Sequence, residues 1–233
     1  MTIDNIHHCD YNSNEHAQKF IRANGKQNKC IIASSYLDFI DTQLKINGTS
    51  KKLVDLGLFD DEPKPIQVRQ LLSRALFRLN DELLTKSDDV FQEIRNRTSI
   101  GVQIRTGGKM ANAEEDTIFF SPDKMYRVYA ILNSLIEGIK DDVVIYLSTD
   151  SNRVVALLKN ELHVPVVVAK YYKPSHSTLL RSGDHVQGLN RGVIDLKVLS
   201  QCDYLLTTFT SSFGNLASYL SHSLNKVIMN YKD

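Results

Sequence analysis

Cysteine is scarce in this chain, with only Cys9, Cys30 and Cys202 among 233 residues. An odd number excludes a complete disulfide framework, and none of the three stands at a metal-binding spacing, so neither a stapled scaffold nor a zinc module is indicated. An excess of one charge is missing too. Lys plus Arg number 28 against 27 for Asp plus Glu, and no basic block occurs. That balance gives no general attraction for nucleic acid or a membrane surface, so an anionic ligand would have to be held locally. No apolar run approaches the roughly 20 residues of a membrane span. The opening stretch Met1 to Asn14 is polar and unlike a signal peptide, so the chain reads as soluble. Neither a Gly-x-Gly-x-x-Gly turn nor a Gly-Lys-Ser/Thr loop occurs, which disfavours the common dinucleotide and P-loop sites. Repeats and low-complexity tracts are absent as well. What remains is a 42% apolar chain long enough for one large α/β domain or two small ones.

The first 28 residues are polar, and His7, His8 and His16 have no partner at metal spacing. Cys30 to Ala33 suits a short strand, Tyr36 to Leu44 a helix, and Asn47-Gly48-Thr49-Ser50 a turn. After Pro63 and Pro65, Ile66, Leu71, Leu72, Ala75, Leu76, Leu79 and Leu83 recur at helical spacing, giving a long helix or helix pair over Ile66 to Arg95. Strands follow at Ser99 to Arg105, Val143 to Ser148, Val164 to Ala169, Tyr204 to Thr207 and Lys226 to Met229. The helices between them are Pro122 to Lys140 behind an N-cap Ser121, Asn152 to Glu161, Arg191 to Gln201, and Ser212 to His222. Short parallel strands with helical crossovers predict an α/β, Rossmann-like doubly wound parallel sheet, whose ligands bind outside the carboxyl ends of its strands.

Three polar signals fall at such ends. Arg105 leaves the apolar strand Ser99 to Arg105 into Thr106-Gly107-Gly108, and a guanidinium there has little to pair with in its own core. Asp150 follows the second strand. Thr207-Thr208-Phe209-Thr210-Ser211-Ser212-Phe213 runs from a strand straight into a helix, collecting hydroxyls and unpaired N–H groups at a helix N-terminus. Arginine and helix N-terminus together suit a phosphate. Simpler roles fit each residue alone: a surface ion pair for Arg105, a helix N-cap for Asp150 and for Thr210 or Ser211, a plain turn for Gly107. The acidic loop Lys109 to Thr117 leaves the same edge. His176 and His185, in the polar loop Lys170 to Gly188, have the chemistry of acid–base groups and also of solvent-exposed bystanders.

Ile100-Gly101-Val102-Gln103-Ile104-Arg105, then Tyr146-Leu147-Ser148-Thr149-Asp150, then Asp195-Leu196 with Cys202-Asp203-Tyr204-Leu205-Leu206 and Thr210-Ser211-Ser212-Phe213-Gly214-Asn215 resemble three successive motifs. They are those of the GDP-fucose-dependent fucosyltransferase superfamily, which includes α1,2-, α1,6-, protein O- and xyloglucan fucosyltransferases. The resemblance covers Ile66 to Asp233 and hardly touches the first 60 residues. It implies a GT-B fold: residues 96–233 as a Rossmann-like GDP-sugar-binding domain, residues 1–95 as a short or truncated acceptor-side region. It implies an inverting, metal-independent transfer of fucose from GDP-fucose to a glycan or protein hydroxyl. Arg105 would hold the pyrophosphate and stabilise the leaving GDP, with Gly107, Asp150, Thr210, Ser211, Ser212 and Phe213 also on the donor. No cofactor beyond the donor substrate is implied.

The chain departs from the pattern at Gln103, where many members carry histidine, at Gly108, where an acid is common, and at Ser151, where the aspartate is often doubled. It also has few residues ahead of the donor domain for a second Rossmann-like half. A non-catalytic nucleotide- or glycan-binding relative or fragment is therefore the alternative. Asn47-Gly48-Thr49 and Asn96-Arg97-Thr98 are sequons. A truncated eukaryotic member would work in the secretory lumen, and a complete chain of this sequence in the cytoplasm.

Overall fold

The computed structural model describes residues 7–11, 31–35, 48–76, 78–106, 124–171, 185–208, 211–221 and 225–229. The chain divides into two compact units, Met1–Leu72 and Ser73–Asp233.

In the first unit, β1 (His7–Tyr11) and β2 (Ile31–Ser35) pair in parallel, with His7 opposite Ile31. β2 answers the strand expected near Cys30 to Ala33. β1 lies in a stretch that composition alone marks as polar, because strand pairing uses backbone groups and needs no apolar alternation. The helix expected at Tyr36 to Leu44 lies outside the described residues. The turn expected at Asn47 to Ser50 is made by Gly48, with φ of 84°, and α1 (Thr49–Asp55) starts directly after it.

The helical stretch from Ile66 is a pair, α2 (Pro65–Leu76) and α3 (Asp81–Gln92). Asn80 opens the second by accepting the Leu83 N–H at 2.9 Å, with Asp81 and Glu82 favourably placed at the positive end of the helix.

The rest of the second unit alternates strand and helix: β3 (Thr98–Ile104), α4 (Met125–Gly138), β4 (Val143–Thr149), α5 (Asn152–Glu161), β5 (Val166–Val167), α6 (His185–Gln201), β6 (Tyr204–Thr208), α7 (Ser212–Leu220) and β7 (Asn225–Met229). The five strands are parallel in the order β5-β4-β3-β6-β7. The chain runs outward from β3 to β5 and then returns to the other side of β3, so the switch point of the sheet lies between β3 and β6. Strand alternation puts Ile100, Val102, Ile104, Val143, Ile145 and Leu147 against α4 and α5. Val144, Tyr146 and Leu205 face the opposite layer with α3, α6 and α7. On that second face β3 presents Gly101, where a Cβ would stand 3.1 Å from both Cys202 and Leu199 at the end of α6. The glycine lets the helix end approach the central strand.

Two elements differ from expectation. β5 is reduced to Val166–Val167 and, among the described residues, pairs with β4 alone, as suits an edge strand kept short. α6 begins at His185, so the stretch to Gly188 expected as loop is helical. Its first turns include Gly188 and Asn190, poor helix formers, together with an exposed Leu189, so periodicity gives no sign of them. The Ser121 cap and Pro122 start of α4 lie outside the described residues.

Candidate functional site

The carboxyl ends of β3, β4 and β6 are held level by register, with Gln103 opposite both Ser148 and Thr207, and Ile104 opposite Thr149. Arg105 is the next residue of β3's path, and it is half-buried. Its backbone N–H donates to Thr208 Oγ1 at 3.0 Å, and the Thr208 hydroxyl donates to the Gln103 carbonyl at 3.1 Å. The Thr208 N–H in turn donates to Gln103 Oε1 at 3.2 Å. On the β4 side, Asp150 Oδ1 accepts the Thr106 N–H at 2.9 Å and the Thr106 hydroxyl at 2.8 Å. Asp150 is therefore not the cap of α5. That position belongs to Ser151, which makes no side-chain capping bond.

Beyond β6, the Ser211 N–H donates to the Thr208 carbonyl at 3.2 Å, and Ser211 Oγ caps α7 by accepting the Gly214 N–H at 3.3 Å. The cap expected at Thr210 or Ser211 is thus Ser211. Its hydroxyl hydrogen stays available to an acceptor, and by helix geometry the N–H groups of Ser212 and Phe213 have no carbonyl within α7. Gly214 is required by proximity. A Cβ there would lie 2.7 Å from Gln103 Oε1 and 2.9 Å from Thr207 Cβ, so only glycine lets the first turn of α7 sit on the ends of β3 and β6. Ser212 is exposed and Phe213 half-buried, with its ring edge beside Gly192 of α6. Gly107, Thr210, His176 and the acidic loop 109–117 lie outside the described residues. His185 is the first residue of α6.

One set of groups escaped the reading of single residues. Under the same edge, on the α6 face, Asp195 is enclosed with Arg191, Tyr146 and Ser148. Arg191 Nε donates to Asp195 Oδ1 at 2.9 Å, Tyr146 O–H to the same oxygen at 2.5 Å, and Ser148 O–H to Oδ2 at 2.8 Å. Arg191 Nη1 also donates to the Ala169 carbonyl at 2.8 Å, joining α6 to the segment after β5. Burial raises the Asp195 carboxyl above its ordinary value, opposed by the Arg191 guanidinium and the three hydrogen bonds, and it raises the Tyr146 hydroxyl well above its own. The available signal was an Arg and an Asp four residues apart inside an apolar helix stripe, since such charges are seldom buried unless paired. Among the described residues no group of three or more His, Cys, Asp or Glu side chains could hold a metal ion, and no helix is long and apolar enough to cross a membrane.

Sheet order, switch point and the polar ends of β3, β4 and β6 define a Rossmann-like domain. The fold is that of GT-B fucosyltransferases. Arabidopsis thaliana FUT1, solved as a mutant in complex with GDP, is similar over 98% of this chain and 50% of its own, with a TM-score of 0.63 at 13% identity. Two further matches are looser. POFUT1 in complex with GDP-fucose has a TM-score of 0.48 at 10% identity, over 98% of this chain and 74% of that one. NodZ α-1,6-fucosyltransferase co-crystallized with GDP has a TM-score of 0.44 at 17% identity, over 62% and 43%. The chain thus spans about half the length of FUT1 and less than half of NodZ. No protein-family model and no curated protein matches the sequence.

Proposed function

We propose that this chain carries the donor-binding half of an inverting fucosyltransferase that uses GDP-fucose and a glycan or glycoprotein hydroxyl as acceptor. The observation that carries the reading is the convergence of Arg105 and the N-terminus of α7 at the switch point of the sheet, where open α/β sheets bind their ligands. Similarity to a FUT1 structure that holds GDP supports the choice of nucleotide.

In the proposed reaction an acceptor oxygen attacks the anomeric carbon of fucose from the side opposite the phosphate. The bond from that carbon to the phosphate oxygen breaks, and GDP leaves with the electron pair. Negative charge grows on the pyrophosphate, so fixed donors aimed at it lower the barrier. Arg105 supplies a permanently charged bidentate fork, the Ser211 hydroxyl and the N–H groups of Ser212 and Phe213 supply further donors, and the helix adds partial positive charge. Gly107 and Thr210 belong to the same two stretches of sequence, and Asp150 holds Thr106. This arrangement neutralises the leaving group without a divalent cation.

Calorimetry tests the reading. GDP and GDP-fucose should bind in the presence of EDTA and clearly more tightly than UDP-sugars. Equal or stronger binding of UDP-sugars would remove the assignment, and a strict need for Mg²⁺ or Mn²⁺ would remove the metal-independent part of it. Gln103 and Gly108 stand where many members of the resembled superfamily carry histidine and an acid, which favours a second reading, a relative that binds the nucleotide without turning it over. Slow release of GDP from GDP-fucose in water marks the enzyme, and binding without release marks the relative.

A further inference from the structure

We propose that Thr208 and Asp150 are positioning residues that clamp the main chain on either side of the Arg105 Cα and so aim its guanidinium. The proposal rests on the reading of Arg105 as the group that grips the pyrophosphate.

The ladder of β3 with β6 ends at the pair Gln103 and Thr207, and its ladder with β4 ends at Ile104 and Thr149. Arg105 is therefore the first residue beyond both, where a strand would ordinarily fray. Side chains take over from the ladder at that point. The Thr208 hydroxyl receives the Arg105 N–H and donates to the Gln103 carbonyl, bridging the end of β3 and the residue beyond it from one oxygen. On the other side one carboxylate oxygen of Asp150 holds both the N–H and the hydroxyl of Thr106, a charge-assisted pair at 2.9 and 2.8 Å. The main chain is thus pinned from β6 just before the Arg105 Cα and from the end of β4 just after it.

Packing does not call for these groups. Thr208 is 1% exposed on an inner parallel strand, a place that valine fills with the same shape. What the hydroxyl adds is direction. The guanidinium sits at the end of a long side chain, so the orientation of the Arg105 Cα sets where it can reach, and a displacement of about 1 Å at a reacting site costs about 10²-fold in rate.

A double-mutant cycle on the full chain, read as GDP affinity by calorimetry, tests the clamp. Thr208→Val should weaken GDP binding about tenfold, within the range of coupling for side chains that share a hydrogen-bond network. Thr208→Ser, which keeps the hydroxyl, should restore it. In an Arg105→Ala background Thr208→Val should change affinity by less than about twofold, because the group it aims is gone. Asp150→Ala should show the same dependence on Arg105 from the β4 side, and it carries the test if Thr208→Val fails to melt cooperatively. Equal losses with and without Arg105 would make these residues structural or direct contacts and overturn the clamp. An Arg105→Ala variant that binds GDP like the parent would instead sink the underlying reading of Arg105. If Arg105→Ala is weakened while Thr208→Val and Asp150→Ala are not, the clamp alone falls.

Discussion

Arg105 separates a ligand-binding from a purely structural interpretation, because the two place its energy in different measurements. A donor aimed at charge that develops in the transition state is worth about 2.7–4 kcal/mol, or 10²–10³ in rate, whereas an exposed ion pair contributes about 0–1 kcal/mol of stability. Arg105→Lys keeps the charge and loses the bidentate fork, and Arg105→Ala loses both. GDP-fucose turnover should fall in that order, with the alanine variant nearly inactive and melting close to the parent. An alanine variant that keeps its turnover, or one that unfolds, would make Arg105 structural. Cys202 shows the opposite case, a reactive residue type made inert by place. It is 1% exposed, its thiol donates to the Val198 carbonyl, and burial pushes the thiol up to about 12. Alkylation at pH 8 followed by peptide mapping should leave Cys202 unmodified in the native protein and modified in denaturant. The native state keeps this proton after the unfolded thiol has lost it, so the associated stability is present below the ordinary thiol value and is lost as pH climbs toward about 12.

Helix α6 carries a buried ion pair that ties it to β4 and to the segment after β5. Arg191 reaches Asp195 and the Ala169 carbonyl from inside the core, where removing one partner of a charged pair typically costs about 3–5 kcal/mol. Arg191→Met should show a loss of this size in urea denaturation at neutral pH. Its pH dependence follows from the carboxyl left behind. Burial already raises Asp195, and Arg191 is the largest influence opposing that rise, so its removal lets the carboxyl climb further. A carboxyl raised in the fold binds more protons in the native state, so stability falls as pH rises through the interval between its unfolded and folded values. The deficit of Arg191→Met relative to the parent should therefore shrink as pH is lowered from neutrality toward about 4. A deficit that does not change with pH would mean that Asp195 is not the group left uncompensated.

The domain that holds the candidate site needs more chain than its motifs. Leu83, Val90 and Ile94, from α3 and the turn after it, are buried in the same cluster as Val144, Ile194, Leu199 and Leu205. Lys170 also pairs with Glu93 at 2.6 Å, and the Tyr171 hydroxyl donates to Asp89 at 2.8 Å. Burying a large aliphatic side chain contributes about 1.5–3 kcal/mol, so losing three of them removes an amount comparable to the roughly 5–15 kcal/mol that holds a domain folded. A fragment beginning at Ser73 should melt cooperatively and bind GDP, whereas one beginning at Ser99 should not fold cooperatively. Comparing the two by circular dichroism checks this, and a well-folded Ser99 fragment would show that α3 is dispensable.

Local pattern marked most of the elements from β3 onward. Apolar runs bounded by turn residues marked β3, β4 and β6, and hydroxyls ahead of a helix marked the start of α7, with Thr210 or Ser211 as its cap. These features are local because burial of one face leaves its period in the chain. Contacts between polar atoms leave no such record. That Asp150 would hold Thr106, that Thr208 would bridge Gln103 and Arg105, and that Asp195 would be enclosed by Tyr146, Ser148 and Arg191 depends on which strands become neighbours and in what register. The same holds for Gly101 and Gly214, whose missing side chains matter only because Cys202, Gln103 and Thr207 come to stand against them. The early start of α6 and the brevity of β5 were likewise decided by tertiary structure. The first turns of α6 hold Gly188 and Asn190, which leave no helical signal, and among the described residues β5 pairs with β4 alone.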